Sequence, residues 1–259
     1  MKKRSIWSPV YLTLVLILLY LPIIVVVLYS FNANTSRFTF DFTGFSLQHY
    51  KALARDTKGL VSALMISLKL AVYSCGISLV IGTLGAVGMA RRRIAFQGAI
   101  EGFSTLPIMM PEIILGMAFL AVFTAAGIKS GMFALVLAHV TFCIPYIFIN
   151  VKGRLQGMDP SLAEAARDLG ASPARTFFDI TLPLIMPGVL SGTMLAFAMS
   201  LDDFVISFFM AGATTNTLPL KIYSSVKTGV SPQVNALCTL TLGAVAVIVA
   251  LSRLMGRKK

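Results

Sequence analysis

Residues 9–31 of the sequence read PVYLTLVLILLYLPIIVVVLYSF, a run without a charged side chain. About 20 apolar residues in a helix are enough to cross the hydrocarbon core of a bilayer. Lys2, Lys3 and Arg4 precede the run, as they would in a signal peptide. The run is longer than the core of a signal peptide, however, and no small-x-small cleavage site clearly follows it. We therefore predict that residues 9–31 form an uncleaved membrane anchor.

The composition of the whole chain agrees with a membrane protein. Of its 259 residues, 57% are apolar and 12% are charged, whereas a soluble domain is about 25% charged. The net charge of +12 comes from small Lys and Arg clusters between apolar runs, a pattern that favours membrane topology over a nucleic-acid-binding face. Cys75, Cys143 and Cys238 all lie inside apolar runs, so they indicate neither a disulfide framework nor a metal site.

Six apolar stretches of the sequence are long enough to span a bilayer as helices. Loops that would lie on one side hold 14 Lys and Arg, against 7 on the other, which predicts that both termini are cytoplasmic. The external segments 32–60 and 212–235 are too short to form separate domains. We predict an all-α membrane protein that is one transmembrane domain over residues 1–259. Its six spans are expected at residues 9–31, 61–90, 103–125, 131–150, 185–211 and 236–254.

The longest internal loop, residues 151–186, contains signals for two short helices. Asp159-Pro160 is typical of a helix start, and Gly170 of a helix end. Ser172-Pro173 then begins a second helix, predicted through about residue 179. Such an exposed helical pair could dock onto a partner protein or lie on the bilayer surface, and the helix signals alone leave both possibilities open.

A motif inside this loop narrows the choice. Glu164-Ala165-Ala166 is followed after three residues by Gly170, and after nine more by Ile180-Thr181-Leu182-Pro183. In residue type and spacing this resembles the EAA loop of permeases in bacterial ABC importers. The resemblance implies the type I (MetI-like) permease fold and a coupling loop that docks on a cytoplasmic ATPase. By the same resemblance, Glu164, Ala165, Ala166 and Gly170 form the coupling element.

Further segments resemble the PotC-type permeases of spermidine/putrescine importers. They are Leu201-Asp202-Asp203-Phe204, residues 139–143, 218–224, 229–232 and 234–237. This resemblance implies a polyamine permease of the bacterial inner membrane. It also implies a second permease subunit (PotB type), an ATPase dimer (PotA type) and a periplasmic polyamine-binding protein (PotD type). ATP and Mg would then bind to the ATPase, with no cofactor in this chain. An ABC permease for a different solute remains an alternative.

Three carboxylates lie within the predicted spans: Glu112, Asp202 and Asp203. Ionisable residues inside a membrane are costly and usually functional. A polyamine carries several ammonium groups, which lose their hydration in a membrane unless other polar groups replace it. We therefore predict that these three acids line the substrate pathway. The alternative is that they cap a helix end or pair with the other subunit.

Helical geometry suggests where the acids point. Gly188, Gly192, Ala196 and Ser200 recur every four residues, a small-residue stripe typical of close helix packing. At about 100° per residue, Asp203 falls within this stripe, Asp202 lies about 100° away, and Phe197, Phe204 and Phe208 lie opposite. If the helices are straight, Glu112 is about 14 Å and Asp203 about 27 Å from the cytoplasmic side. Pro107 and Pro111 are nevertheless expected to bend or break the third span.

Other function classes have less support in the sequence. No G-x-x-x-x-G-K-[ST] occurs, so the chain is expected to use an ATPase on a separate polypeptide. His139 and Cys143 are one helical turn apart, but two ligands do not make a metal site, so buried packing is favoured. A proton-coupled secondary transporter would need no coupling loop. An intramembrane aspartyl protease, using Asp202 or Asp203, would need a second acid in its own motif. We therefore predict a transport subunit that is not an enzyme.

Overall fold

The computed structural model describes residues 7–36, 41–56, 59–91, 95–159, 161–227, 229 and 231–256. Over these residues the chain is helical, apart from loops and one isolated bridge between Asn32 and Phe45. The all-α prediction is therefore confirmed for the described part of the chain. Its helices are α1 (Trp7–Ser30), α2 (Gln48–Ala54), α3 (Leu60–Arg91), α4 (Gln97–Met109), α5 (Glu112–Ala125), α6 (Met132–Gln156), α7 (Ser161–Asp168), α8 (Pro173–Thr176), α9 (Leu182–Asp202), α10 (Val205–Met210), α11 (Leu218–Lys227) and α12 (Pro232–Gly256), with a π-helical turn at Phe177–Thr181.

The chain divides into two compact units, one made of its two ends and one of its middle. In the first unit, which takes residues up to Ser62 and from Lys221 onward, α1 and α2 both pack on α12. The side chains of α1 are largely exposed, as expected of an apolar helix that faces lipid. The Asn32 side chain orders the loop after α1, since its Oδ1 accepts the backbone N–H of Thr43 and its amide donates to the Asp41 carbonyl.

The second unit, Ala63–Leu220, holds the main hydrophobic core, to which α3, α5, α6, α9 and α10 contribute. Its closest helix pair is α6 with α9. A Cβ added to Gly192 would stand 2.9 Å from the Ile147 Cα, and one added to Gly188 would stand 2.9 Å from the Asn150 carbonyl oxygen. Ala196 and Ser200 on the same stripe are also buried. Close packing along the predicted small-residue stripe is therefore confirmed.

Two of the predicted spans are not straight helices. α4 and α5 meet at an angle of 111°, because Met110, before Pro111, is extended (ψ 141°) and proline disfavours a helical residue before it. The bend predicted for this span is thus confirmed at Pro111, whereas Pro107 lies inside α4. The depth of about 14 Å for Glu112 assumed a straight helix and therefore does not apply. The span predicted at 185–211 is also interrupted, since α9 ends at Asp202 and α10 begins at Val205.

The number of spans is only partly matched by the structure. Among the described residues, four helices are long and apolar enough to cross a membrane, or five if α4 and α5 form one bent span. The described apolar part of α12, Pro232–Val247, is shorter. Some of the basic residues on which the predicted membrane orientation rests lie outside the described residues, at 1–6, 92–94 and 257–259. Six spans and cytoplasmic termini therefore stay predictions.

Candidate functional site: an internal loop and a buried polar cluster

The first helix of the internal loop, α7, is capped by local hydrogen bonds at both ends. At its start, the Ser161 backbone N–H donates to Asp159 Oδ1 at 2.9 Å, a bond that holds the pKa of the Asp159 carboxyl below its ordinary value. At its end, the N–H of Gly170 donates to the Arg167 carbonyl and the N–H of Ala171 to the Ala166 carbonyl. These two bonds form a Schellman motif, in which Gly170 adopts φ +85°. The predicted helix end is confirmed, whereas Pro160 lies outside the described residues.

The predicted coupling residues do not all face the same way. Glu164, Ala165 and Gly170 are exposed, while Ala166 is buried. Leu169 beside them is 90% exposed. The loop thus presents an acid, a small residue and an apolar side chain together on its surface.

The second helix of the loop runs directly into the long helix α9. The Ser172 hydroxyl accepts the Arg175 N–H at 3.3 Å and caps α8, with Pro173 in its first turn. A π-helical turn at Phe177–Thr181 follows and passes into α9 without a gap. The predicted boundary near residue 179 is therefore absent, because the chain changes its helical pitch there and does not leave the helix. A movement of α8 is thus linked to α9 by continuous helical backbone.

Asp203 lies at the break between α9 and α10, with a side chain only 5% exposed. Its Oδ1 accepts the Ile206 N–H at 3.2 Å, and its Oδ2 accepts the Ser207 N–H at 2.7 Å. Both oxygens therefore accept free backbone N–H groups in the first turn of α10, the role of an N-terminal cap. The sequence placed Asp203 on the buried stripe of α9. The structure adds the interruption that turns its carboxylate toward α10.

The partner of Asp203 from another helix is His139 of α6, which is fully buried. His139 Nε2 lies 3.4 Å from Asp203 Oδ2, and also 3.4 Å from the Ser207 Oγ. On the other side of the ring, Nδ1 is hydrogen-bonded to the Ser200 Oγ at 2.8 Å. We call these residues, His139, Ser200, Asp203 and Ser207, the buried polar cluster. The sequence did not predict the His139–Asp203 contact, because the two residues are 64 positions apart and meet only where α6 packs on α9.

The other two predicted acids are exposed and do not belong to this cluster. Asp202 is the last residue of α9, and its side chain makes no hydrogen bond or ion pair with the described part of the chain. Glu112 is the first residue of α5, directly after the 111° bend. The structure therefore separates the three acids into one buried cap, Asp203, and two exposed carboxylates.

Comparison with known proteins identifies the class to which this chain belongs. Residues 78–257 match the family described as the binding-protein-dependent transport system inner membrane component, and the chain belongs to this family. It is therefore a transport component and not an enzyme. Family membership overturns the alternatives of a secondary transporter and an intramembrane aspartyl protease.

Within this family the chain is similar to permeases named for polyamines. It is 40% identical to the spermidine/putrescine transport system permease protein PotC of Haemophilus influenzae, over 87% of each chain. It is 42% identical to the putrescine transport system permease protein PotI of Escherichia coli, over 83% of this chain and 79% of that protein. The chain is thus a homologue of polyamine permease subunits along most of its length.

Similarity to solved structures supports the fold of this chain but not its function. The chain resembles a bacterial ABC transporter that imports the acidic polysaccharide alginate, with a TM-score of 0.74 and 14% identity over 97% of this chain and 95% of that one. It also resembles an amino acid ABC transporter, with a TM-score of 0.60 and 19% identity over 81% of this chain and 98% of that one. The predicted ABC importer permease fold is confirmed by these similarities.

Proposed function

We propose that this chain is a permease subunit of a polyamine ABC importer in a bacterial inner membrane, with six spans and cytoplasmic termini. The observation that carries the proposal is the identity of 40–42% with PotC and PotI permeases over most of the chain. The substrate class is spermidine and putrescine. A second permease subunit, two ATPase subunits and a periplasmic binding protein complete the transporter.

The internal loop would couple the ATPase to the spans. Glu164, Ala165 and Leu169 offer an exposed surface, and Ala165 has so small a side chain that a partner can approach the backbone closely. ATP-driven closure of the ATPase dimer would move α7 and α8. Continuous helical backbone from α8 through the π turn would then carry this movement into α9.

The exposed acids would hold the cation during its passage. Asp202 and Glu112 are exposed carboxylates, without an ion-pair partner in the described part of the chain. An ammonium group that leaves water needs replacement polar contacts, which these carboxylates supply. The bend before Glu112 and the interruption after Asp202 place both acids at helix ends.

The decisive test is ATP-dependent uptake by proteoliposomes that contain both permease subunits, the ATPase and the binding protein. Labelled spermidine and putrescine would be supplied separately, with a neutral sugar and an acidic amino acid as control solutes. We expect saturable uptake of the polyamines alone. Assembly with the ATPase but no polyamine uptake would overturn the substrate class, and no assembly would overturn the role of the loop.

A further inference from the structure

The adjacent acids Asp202 and Asp203 differ in their environment, and the difference depends on a histidine 64 positions away along the chain. Asp203 uses both carboxylate oxygens on the backbone of α10, whereas Asp202 is exposed. If both acids held the cation, Asp203 would have to release the cap of α10 at each transport cycle. The geometry favours a division of roles between the two acids.

His139 touches both sides of the break. Its Nδ1 binds Ser200 on α9, before the break, and its Nε2 faces Asp203 and Ser207, at and beyond it. The Phe142 ring packs on the imidazole with a centroid separation of 5.0 Å, which fixes the orientation of the ring. One side chain of α6 therefore contacts both the end of α9 and the start of α10.

We propose that His139 is a positioning residue that holds Asp203 as the cap of α10, so that Asp202 alone of the two acids meets the transported cation. Loss of the imidazole would leave the Asp203 carboxylate buried without its partner from α6. A buried charge in that state recruits water or a new partner. The backbone at the break would then shift and carry Asp202 with it. The cation-holding role of Asp202 rests on the proposed function, whereas the positioning by His139 does not.

The first experiment measures the accessibility of residue 202 to a thiol reagent and does not depend on transport. A cysteine is placed at this site (Asp202→Cys) in a Cys238→Ser background, because Cys75 and Cys143 are buried. The rate of modification by a cationic, water-soluble thiol reagent is then compared with and without His139→Leu. We expect a change of about fivefold or more, within the range found for residues that couple through contact. His139→Gln, whose amide can still donate to Asp203, should restore the original rate.

A matched site controls for general loss of structure. Leu169→Cys, on the coupling loop, should be modified at the same rate with or without His139→Leu. An unchanged rate at residue 202 in His139→Leu would overturn the positioning role. A parallel change at residue 169 would also overturn it, because His139 would then support the whole fold and not this break.

Polyamine uptake tests the division of roles. Asp202→Asn should raise the KM for spermidine, whereas Asp203→Asn, which keeps a capping oxygen, should leave the KM near the wild-type value. In the His139→Leu background, Asp203→Asn should recover uptake, because it removes the unpaired buried charge. Equal KM increases for Asp202→Asn and Asp203→Asn would overturn the division. If the wild type takes up no polyamine, the substrate proposal fails, and the cysteine experiment still decides the role of His139.

Discussion

A Cβ atom on Gly192 of α9 would stand 2.9 Å from the Cα of Ile147 on α6. It would also stand 3.2 Å from the Tyr146 carbonyl oxygen. Both neighbours belong to the backbone and cannot rotate away. The contact between α6 and α9 therefore depends on the absence of a side chain at residue 192, and this contact holds together the helices that carry the buried polar cluster.

Gly192→Ala should destabilise the protein by about 1–3 kcal/mol, the usual effect of extra volume in a packed core. The melting temperature of the purified chain in detergent would measure this loss. Gly153→Ala, on α6, is the matched control because no atom lies within 4 Å of its added Cβ. This control should be neutral or slightly stabilising, since alanine favours helix more than glycine does. Equal melting temperatures for the two variants would contradict the close approach of α6 and α9.

The end of α7 depends on a left-handed residue at position 170. Gly170→Val forces a β-branched side chain to φ +85°, which costs about 1–2 kcal/mol and should loosen the loop. We expect less ATPase to co-purify with this variant. Gly170→Asn should retain most of the ATPase, because asparagine tolerates this conformation. Gly157→Ala, at φ −88°, should behave as the wild type, and a similar loss in this control would point away from the conformation of Gly170.

The π turn between α8 and α9 is supported by a side chain. Thr181 Oγ1 donates to the Thr176 carbonyl at 3.3 Å, and both residues are buried. Thr181→Val removes the hydroxyl donor with little change in shape, and loss of a buried hydrogen bond costs about 0.5–1.5 kcal/mol. Faster amide exchange over residues 173–184 is the expected result, together with weaker stimulation of the ATPase by the loaded binding protein.

Thr193→Val provides the matched control for this substitution. Thr193 Oγ1 donates to the Val189 carbonyl at 2.7 Å within the regular part of α9. Thr193 is only partly buried and lies in regular helix outside residues 173–184, so loss of its hydroxyl should leave amide exchange at the π turn unchanged. If both valine variants exchange equally fast, the hydroxyl of Thr181 has no special role in the π turn.

Exposed acids on the pathway should act through charge. Asp202→Asn and Glu112→Gln should each raise the KM for polyamines about two- to fivefold, as expected for the loss of about 0.5–1 kcal/mol from a partly solvated ion pair. The increase should be larger for spermidine, which carries three ammonium groups, than for putrescine, which carries two. Asp168→Asn, an exposed acid on α7, should leave both KM values unchanged. An equal increase in that variant would indicate a general charge effect.

The sequence alone predicted much of this architecture. Periodicity located the small-residue stripe of α9, and the φ requirement of a helix end identified Gly170 as the terminator of α7. Pro111 predicted the bend, because proline disfavours a helical conformation for the residue before it, whereas Pro107 lies inside α4. These features are local, since each depends on a few neighbouring residues. They can therefore be predicted from the sequence of this chain alone.

Only the tertiary structure decided which acid is buried and which is exposed. A helical wheel gives the angle of Asp203 but assumes that α9 continues, and the interruption at this residue turns its carboxylate to the backbone of α10. Its partner, His139, belongs to α6 and meets it because α6 and α9 pack along the glycine stripe. The 111° angle before Glu112 was likewise beyond the sequence, because proline dictates that a helix breaks but packing dictates the direction it then takes. Local sequence thus determined most helix ends and the small-residue stripe, while contacts between distant residues determined the placement of the charges.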